Sequence, residues 1–190
     1  MEQTLYIPVL LGTARAGRKS EFAARFVHAE LSKRESVTAE LVDIAQMLRD
    51  RTLPPWDAGG ADERATPWKE RMERADALVI VSPEYNRGYP GELKLLLDSI
   101  YAEYARKPVL LCGVSSGAWG GRHLTEHLRS VAAELQMVTL RNNIYFPNVG
   151  ELFDAHGAVR DAQFAARLEK PFEELLWYAR ALKDARKRVQ

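Results

Sequence analysis

Apolar runs of strand length alternate along this chain with stretches of helical period. The first run, Leu5 to Gly12, feeds a small, basic, hydroxyl-bearing turn. A helical pattern follows from about Glu21 to Arg34, with Phe22, Phe26, Val27 and Leu31 on one face and Arg25, Glu30 and Lys33 on the other. Thr38 to Asp43 alternates as a second strand. Ala77 to Ser82 is continuously apolar, the mark of a strand buried on both faces, and Pro108 to Val114 makes a fourth. A fifth is placed at Met137 to Leu140, extended through Ile144, Tyr145 and Phe146. Helices are predicted over Pro67–Arg74, over Arg122–Leu135, and over Asp161–Arg186 with a bend or fresh start at Pro171. Another begins at Pro90, with Leu93, Leu96, Leu97, Ile100 and Tyr101 as its apolar stripe. Pro8, inside the first strand, predicts a bulge or a locally missing ladder bond. Strands alternating with helices predict an α/β three-layer sandwich around a five-stranded parallel sheet of order 2-1-3-4-5.

Composition narrows this without redirecting it. At 190 residues with no evident linker, one domain spanning 1–190 is expected. A net charge of +1 supplies no global pull toward nucleic acid or acidic membranes, and the basic Lys183–Arg188 reads as the solvated end of a helix. Cys112 is the only cysteine, so no internal disulfide forms, which fits a reducing compartment. The N-terminal stretch lacks a leader pattern and no run approaches ~20 apolar residues, so a cytoplasmic protein without a membrane span is expected. The section 49–66, with Pro54-Pro55 and Gly59-Gly60, is too long and irregular for a simple crossover and reads as a lid or subunit contact.

Candidate chemistry gathers at three strand ends. In Gly12 to Ser20, GTARAGRKS, a strand opens through a turn onto a helix start, where free N–H groups and the helix dipole favour an anion. Thr13 and Ser20 offer hydroxyl donors and Arg15 a planar fork of N–H groups. The nucleotide P-loop GxxxxGK[ST] competes, but Arg18 intervenes before Lys19-Ser20 and puts the lysine one residue late. Two further loops, Pro83 to Pro90 and Ser115 to Gly121, leave the same edge of a parallel sheet. The second can present a flat ring and backbone donors, and the third admits close main-chain approach. A phosphate at one end and planar surfaces at the other match a flat heteroaromatic cofactor with a phosphorylated tail. Gly113-Val114-Ser115-Ser116-Gly117 also satisfies the GxSxG elbow of a serine hydrolase, with Asp154 and His156 as the nearest acid–histidine pair. His123 to His127 reads as HxxEH, a zinc pattern that lacks a nearby third ligand.

The motifs GTARAGRKS (12–20), SPEYNRGYPGELKLLLDSI (82–100) and SSGAWGGRHLTEHLRSV (115–131) resemble the signatures of the NADPH-dependent FMN reductases, a flavodoxin-like family that includes quinone, azo-dye and chromate reductases. That resemblance implies FMN as cofactor and NADPH or NADH as donor. It also implies ping-pong hydride transfer to a small-molecule acceptor: a quinone, an azo compound, a metal oxyanion or free flavin. It assigns the FMN phosphate to Thr13, Arg15, Arg18 and Ser20, with Gly12 and Lys19 in the same motif. It assigns the ring and its polar edge to Pro83, Glu84, Tyr85 and Asn86, the pyrimidine side to Ser115, Ser116 and Gly117, and the nicotinamide or acceptor position to Gly88 and Tyr89. No side-chain acid, base, nucleophile or metal ligand is implied. A homodimer or homotetramer is, with Arg87, Trp56 and Trp119 reaching across the interface. The chain departs from the pattern at Thr13 (Ser is usual), at Leu95 (Asn is usual), at Ser99-Ile100 (Trp is common) and at the bulky Trp119. A non-enzymatic flavodoxin-type electron carrier is the alternative on the same fold.

Overall fold

The computed structural model describes residues 4–48 and 65–188. Strands β1 (Leu5–Leu11), β2 (Val37–Asp43), β3 (Leu78–Pro83), β4 (Pro108–Val114) and β5 (Val138–Thr139) form a parallel sheet in the order β2-β1-β3-β4-β5. The sheet is flavodoxin-like in its order, as expected. The fifth position is divided: β5 pairs with Pro108 and Val109, and β6 (Ile144–Phe146) pairs with Cys112 to Val114 further along β4. Between them the Arg129 guanidinium donates to the carbonyls of Leu140 and Arg141, at 2.8 and 3.1 Å.

Side chains alternate across the pleat into two cores. Leu5, Ile7, Val9 and Leu11 join Val79, Val81, Leu110 and Cys112 beneath α1 (Ser20–Ser32) and α7 (Ala166–Lys187). Leu10, Leu78, Ile80, Val109 and Leu111 face the other layer, which holds α2 (Ile44–Met47), α3 (Thr66–Arg74), α4 (Gly91–Leu97) and α5 (Arg122–Glu134). A short α6 (Val149–Leu152) follows β6.

Pro8 produces no bulge: the register with β2 runs through Pro8 opposite Glu40. The N–H groups of Tyr6 and Gly12 point toward β3, onto Asp76 Oδ2 and the Val81 carbonyl, so by the two-residue period the Pro8 nitrogen points there too. Pairing with β3 begins only at Val9, and the missing donor falls outside that ladder. Pro171 does not restart the last helix; α7 is continuous, and it begins at Ala166 rather than Asp161. α4 stops at Leu97, which leaves Tyr101 outside the helix and 51% exposed. At the N-terminal edge of the sheet, buried Asp76 accepts the Tyr6 N–H and the Lys183 ammonium, and so fastens α7 to the strands.

Candidate functional site

The loops after β1, β3 and β4 meet at the C-terminal edge of the sheet, together with the segment 148–151, around a cavity of about 680 Å3. From the first loop, Arg15, Gly17, Arg18, Lys19 and Ser20 line it. Ser20 is the first residue of α1, and Lys19 before it supplies no side-chain cap. The Ser20 hydroxyl is buried and finds no hydrogen-bond partner among the described residues. A buried, unpaired donor at a helix start is the arrangement an anionic group completes.

Not every basic group of the loop is free for that work. The Arg18 guanidinium donates to the Thr13 carbonyl at 2.8 Å and pairs with Asp43 at the end of β2, and its side chain is only 11% exposed. It is a brace of the turn. Arg15 is exposed, with its guanidinium 5.7 Å from the centre of the Tyr85 ring. Thr13 and Gly12 do not line the cavity. Thr13 is fully buried, donates to Glu92 Oε1 at 2.7 Å, and lies 3.1 Å from the Tyr85 hydroxyl. A Cβ on Gly12 would stand 3.1 Å from Ser82 Cβ and 3.2 Å from a Leu93 methyl, so this glycine serves close packing of β1 against β3 and α4.

The second loop contributes Pro83, Glu84, Tyr85 and Asn86 to the cavity. Tyr85 and Gly88 exchange both backbone bonds at 2.9 Å around Asn86 and Arg87, each with positive φ, a tight two-residue turn that presents Tyr85 at its base. Gly88 therefore closes the turn and is not part of the cavity lining. The Glu84 carboxylate is committed to the start of α5, where it accepts the His123 N–H at 3.0 Å and meets the His123 ring at 3.0 Å. From the third loop, Ser115 and Ser116 line the cavity with Val114, while Gly117 lies outside it and Trp119 is 66% exposed.

Asn148, Val149, Gly150 and Glu151 form a wall that the sequence reading missed. They are tied to the third loop by Asn148 N–H to the Gly117 carbonyl at 3.0 Å and Val149 N–H to the Ser115 carbonyl at 3.1 Å. The Lys19 ammonium lies 2.9 Å from where a Cβ on Gly150 would stand, so wall and phosphate turn touch. The available signal was a Pro-Asn-x-Gly turn directly after an apolar strand. Glu92, joined to the first loop, was also missed; a Glu in a helix's first turn looks the same whether it faces solvent or a loop.

The rival motifs find other employment. Ser115 Oγ donates to the Gly117 carbonyl at 2.8 Å. Asp154 accepts the N–H groups of His156 and Ala158, both at 2.8 Å, as the staple of a turn, and those bonds, Ala158's foremost, hold its carboxyl below the usual range. His123 of the HxxEH stretch is bonded to Glu84, and among the described residues no group of three His, Cys, Asp or Glu side chains is arranged to hold a metal ion. Cys112 is buried in β4, where desolvation pushes its thiol upward and keeps it protonated. Among the described residues no helix is long and apolar enough to cross a membrane. Trp56 and most of the section 49–66 lie outside the described residues.

Comparison with known proteins agrees with this geometry. Residues 5–151 match the model of the NADPH-dependent FMN reductase family. The chain is 36% identical over 137 residues to an NAD(P)H-dependent FMN reductase of Schizosaccharomyces pombe, covering 69% of this chain and 67% of that one. It is 29% identical over 172 residues to a quinone reductase of Escherichia coli K12, covering 81% of this chain and 88% of the relative. In fold it is similar to FerB, a flavoenzyme NAD(P)H:(acceptor) oxidoreductase from Paracoccus denitrificans, with a TM-score of 0.77, 22% identity, and coverage of 94% and 98% of the two chains.

Proposed function

This chain belongs to the NADPH-dependent FMN reductase family and is a flavin-dependent NAD(P)H oxidoreductase; from that premise we propose that its small-molecule acceptor is a quinone. The fit of FMN to this particular cavity rests on one observation above the others, the buried Ser20 hydroxyl without a partner at the start of α1. A phosphate there receives that hydroxyl and the charges of Arg15 and Lys19, which line the same space. A cavity of about 680 Å3 suits a cofactor-sized ligand.

When bound, FMN supplies a ring that takes a hydride from NAD(P)H and yields it to the acceptor. The residues of the chain bind and orient. Ser20 and the open end of α1 hold the phosphate. The loop Pro83 to Asn86, stiffened by its tight turn and by Glu84's grip on α5, would hold the ring with Tyr85. Ser115 and Ser116 would offer main chain to the ring, kept in place by the 148–151 wall. No side chain is assigned as acid or base: hydride transfer depends on distance and orientation, and the hydroquinone anion formed from a quinone takes its proton from water.

Quinone as acceptor is supported by the relatives named quinone reductase in Escherichia coli and Pseudomonas putida. The same reading includes a single domain that assembles as a homodimer or homotetramer in a reducing compartment such as the cytoplasm, supported by the exposed Trp119 at the site's rim and the lone buried Cys112. The test is an anaerobic absorption titration. The purified protein takes up FMN, its flavin band bleaches with NADPH, and benzoquinone restores it. A colourless protein that ignores micromolar FMN overturns the proposal.

A further inference from the structure

Glu92 stands in the first turn of α4, outside the cavity lining, and reaches under the phosphate loop. Its Oε1 accepts the Thr13 hydroxyl at 2.7 Å and the Ala14 N–H at 3.2 Å. Thr13 Oγ1 in turn accepts the Arg15 N–H at 3.3 Å and lies 3.1 Å from the Tyr85 hydroxyl. One carboxylate oxygen and one hydroxyl therefore join the loop after β1, the loop after β3 and α4.

The direction of the protons follows from chemistry. An ionised carboxylate only accepts, so the single Thr13 proton goes to Glu92. Thr13 Oγ1 is then an acceptor for both remaining neighbours, and the Tyr85 hydroxyl donates to it. With one bond given and two received, Thr13 has no capacity left for a phosphate, although its sequence position nominates it for one.

We propose that Glu92 is a positioning residue for FMN: through Thr13 it fixes the separation and orientation of the phosphate loop and the Tyr85 loop. This rests on the FMN reading above. Two half-sites held at a set spacing matter to a ligand that engages both and not to a ligand that engages one. The joint therefore acts on FMN, which has ring and phosphate, and hardly on riboflavin, which lacks the phosphate.

The experiment measures Kd for FMN and for riboflavin by quenching of flavin fluorescence, with apoprotein melting followed by circular dichroism. Glu92→Ala is expected to weaken FMN about tenfold or more and riboflavin less than about threefold. Glu92→Gln keeps an acceptor oxygen in place and is expected to hold FMN within about threefold of the parent. Should Glu92→Ala fail to fold, Thr13→Val, which removes the hydroxyl at constant shape, carries the same expectation. The inference is overturned by an unchanged FMN Kd in the folded variant, by equal losses for FMN and riboflavin, or by no rescue with Gln. A parent protein that binds no FMN sinks the functional reading instead, and the two failures are distinct.

Discussion

Ser20 carries a cost in the apoprotein, since its only side-chain polar group is buried without a partner. A buried hydroxyl without a partner loses its bonds to water and gains none, a penalty of about 1–3 kcal/mol. Ser20→Ala removes the penalty along with the donor. The apoprotein of that variant is expected to melt no lower than the parent, while its FMN Kd rises about tenfold in a fluorescence titration. A variant that lost apoprotein stability would mean the hydroxyl already has a structural partner. Arg18 makes the opposite case. Its guanidinium bridges the Thr13 carbonyl and Asp43, mostly out of solvent, and a lysine cannot span both with one ammonium. Arg18→Lys is expected to destabilise the apoprotein by about 2 kcal/mol in urea unfolding. Two residues two positions apart thus divide the labour of one turn: one is kept open for a ligand and one is spent on the fold.

At the scale of elements, the third loop is pressed onto β4 more tightly than side chains allow. Gly121 has φ +81°, and a Cβ there would lie 2.6 Å from the Val114 nitrogen; a Cβ on Gly113 would lie 2.6 Å from two carbonyl oxygens of the same loop. Because the obstacles are backbone, Gly121→Ala is expected to cost about 3 kcal/mol or more, read as a lowered urea midpoint with unchanged slope. The general placement of this loop was legible in the sequence: the unbroken apolar run of β3, the alternation of β2, and glycine-bearing breaks after β1, β3 and β4 led to one sheet order and one rim. What escaped depends on side-chain direction or distant partners. The division of the fifth strand falls where Arg129, on α5, captures two carbonyls of the following segment. The 148–151 wall is the N-cap and first three residues of α6, a four-residue helix too short to generate periodicity. Thr13 was nominated for the phosphate because its hydroxyl type and position suit one; only the fold discloses that the hydroxyl turns inward toward Glu92.

Across the whole molecule, the two edges of the sheet do different work. The C-terminal edge is open and holds the cavity, while the N-terminal edge is closed by a knot of charges around Asp76, Lys183, Arg186 and Lys107. Lys107, buried at the foot of β4, donates to the carbonyls of Met72 and Glu73 at the end of α3. Burial, reinforced by the Arg186 charge and only partly opposed by Asp76, pushes its ammonium down to about 8. In the unfolded chain the same group titrates near ~10.4, so between those values the unfolded state binds more protons than the native one, and this contribution to stability rises with pH. Other groups work against it. Burial raises the Cys112 thiol and the Tyr104 phenol and lifts Tyr6 to about 12, so each keeps in the native state a proton the unfolded chain gives up at alkaline pH. The total stability curve mixes both signs, but the difference between the parent and Lys107→Met isolates one. Urea unfolding of both apoproteins from about pH 7 to pH 10 is expected to show the parent gaining on the variant by about 2.5 kcal/mol, most of it above pH 8. A gap that stayed constant across that range would mean that Lys107 remains charged in the fold and that water reaches the closed edge.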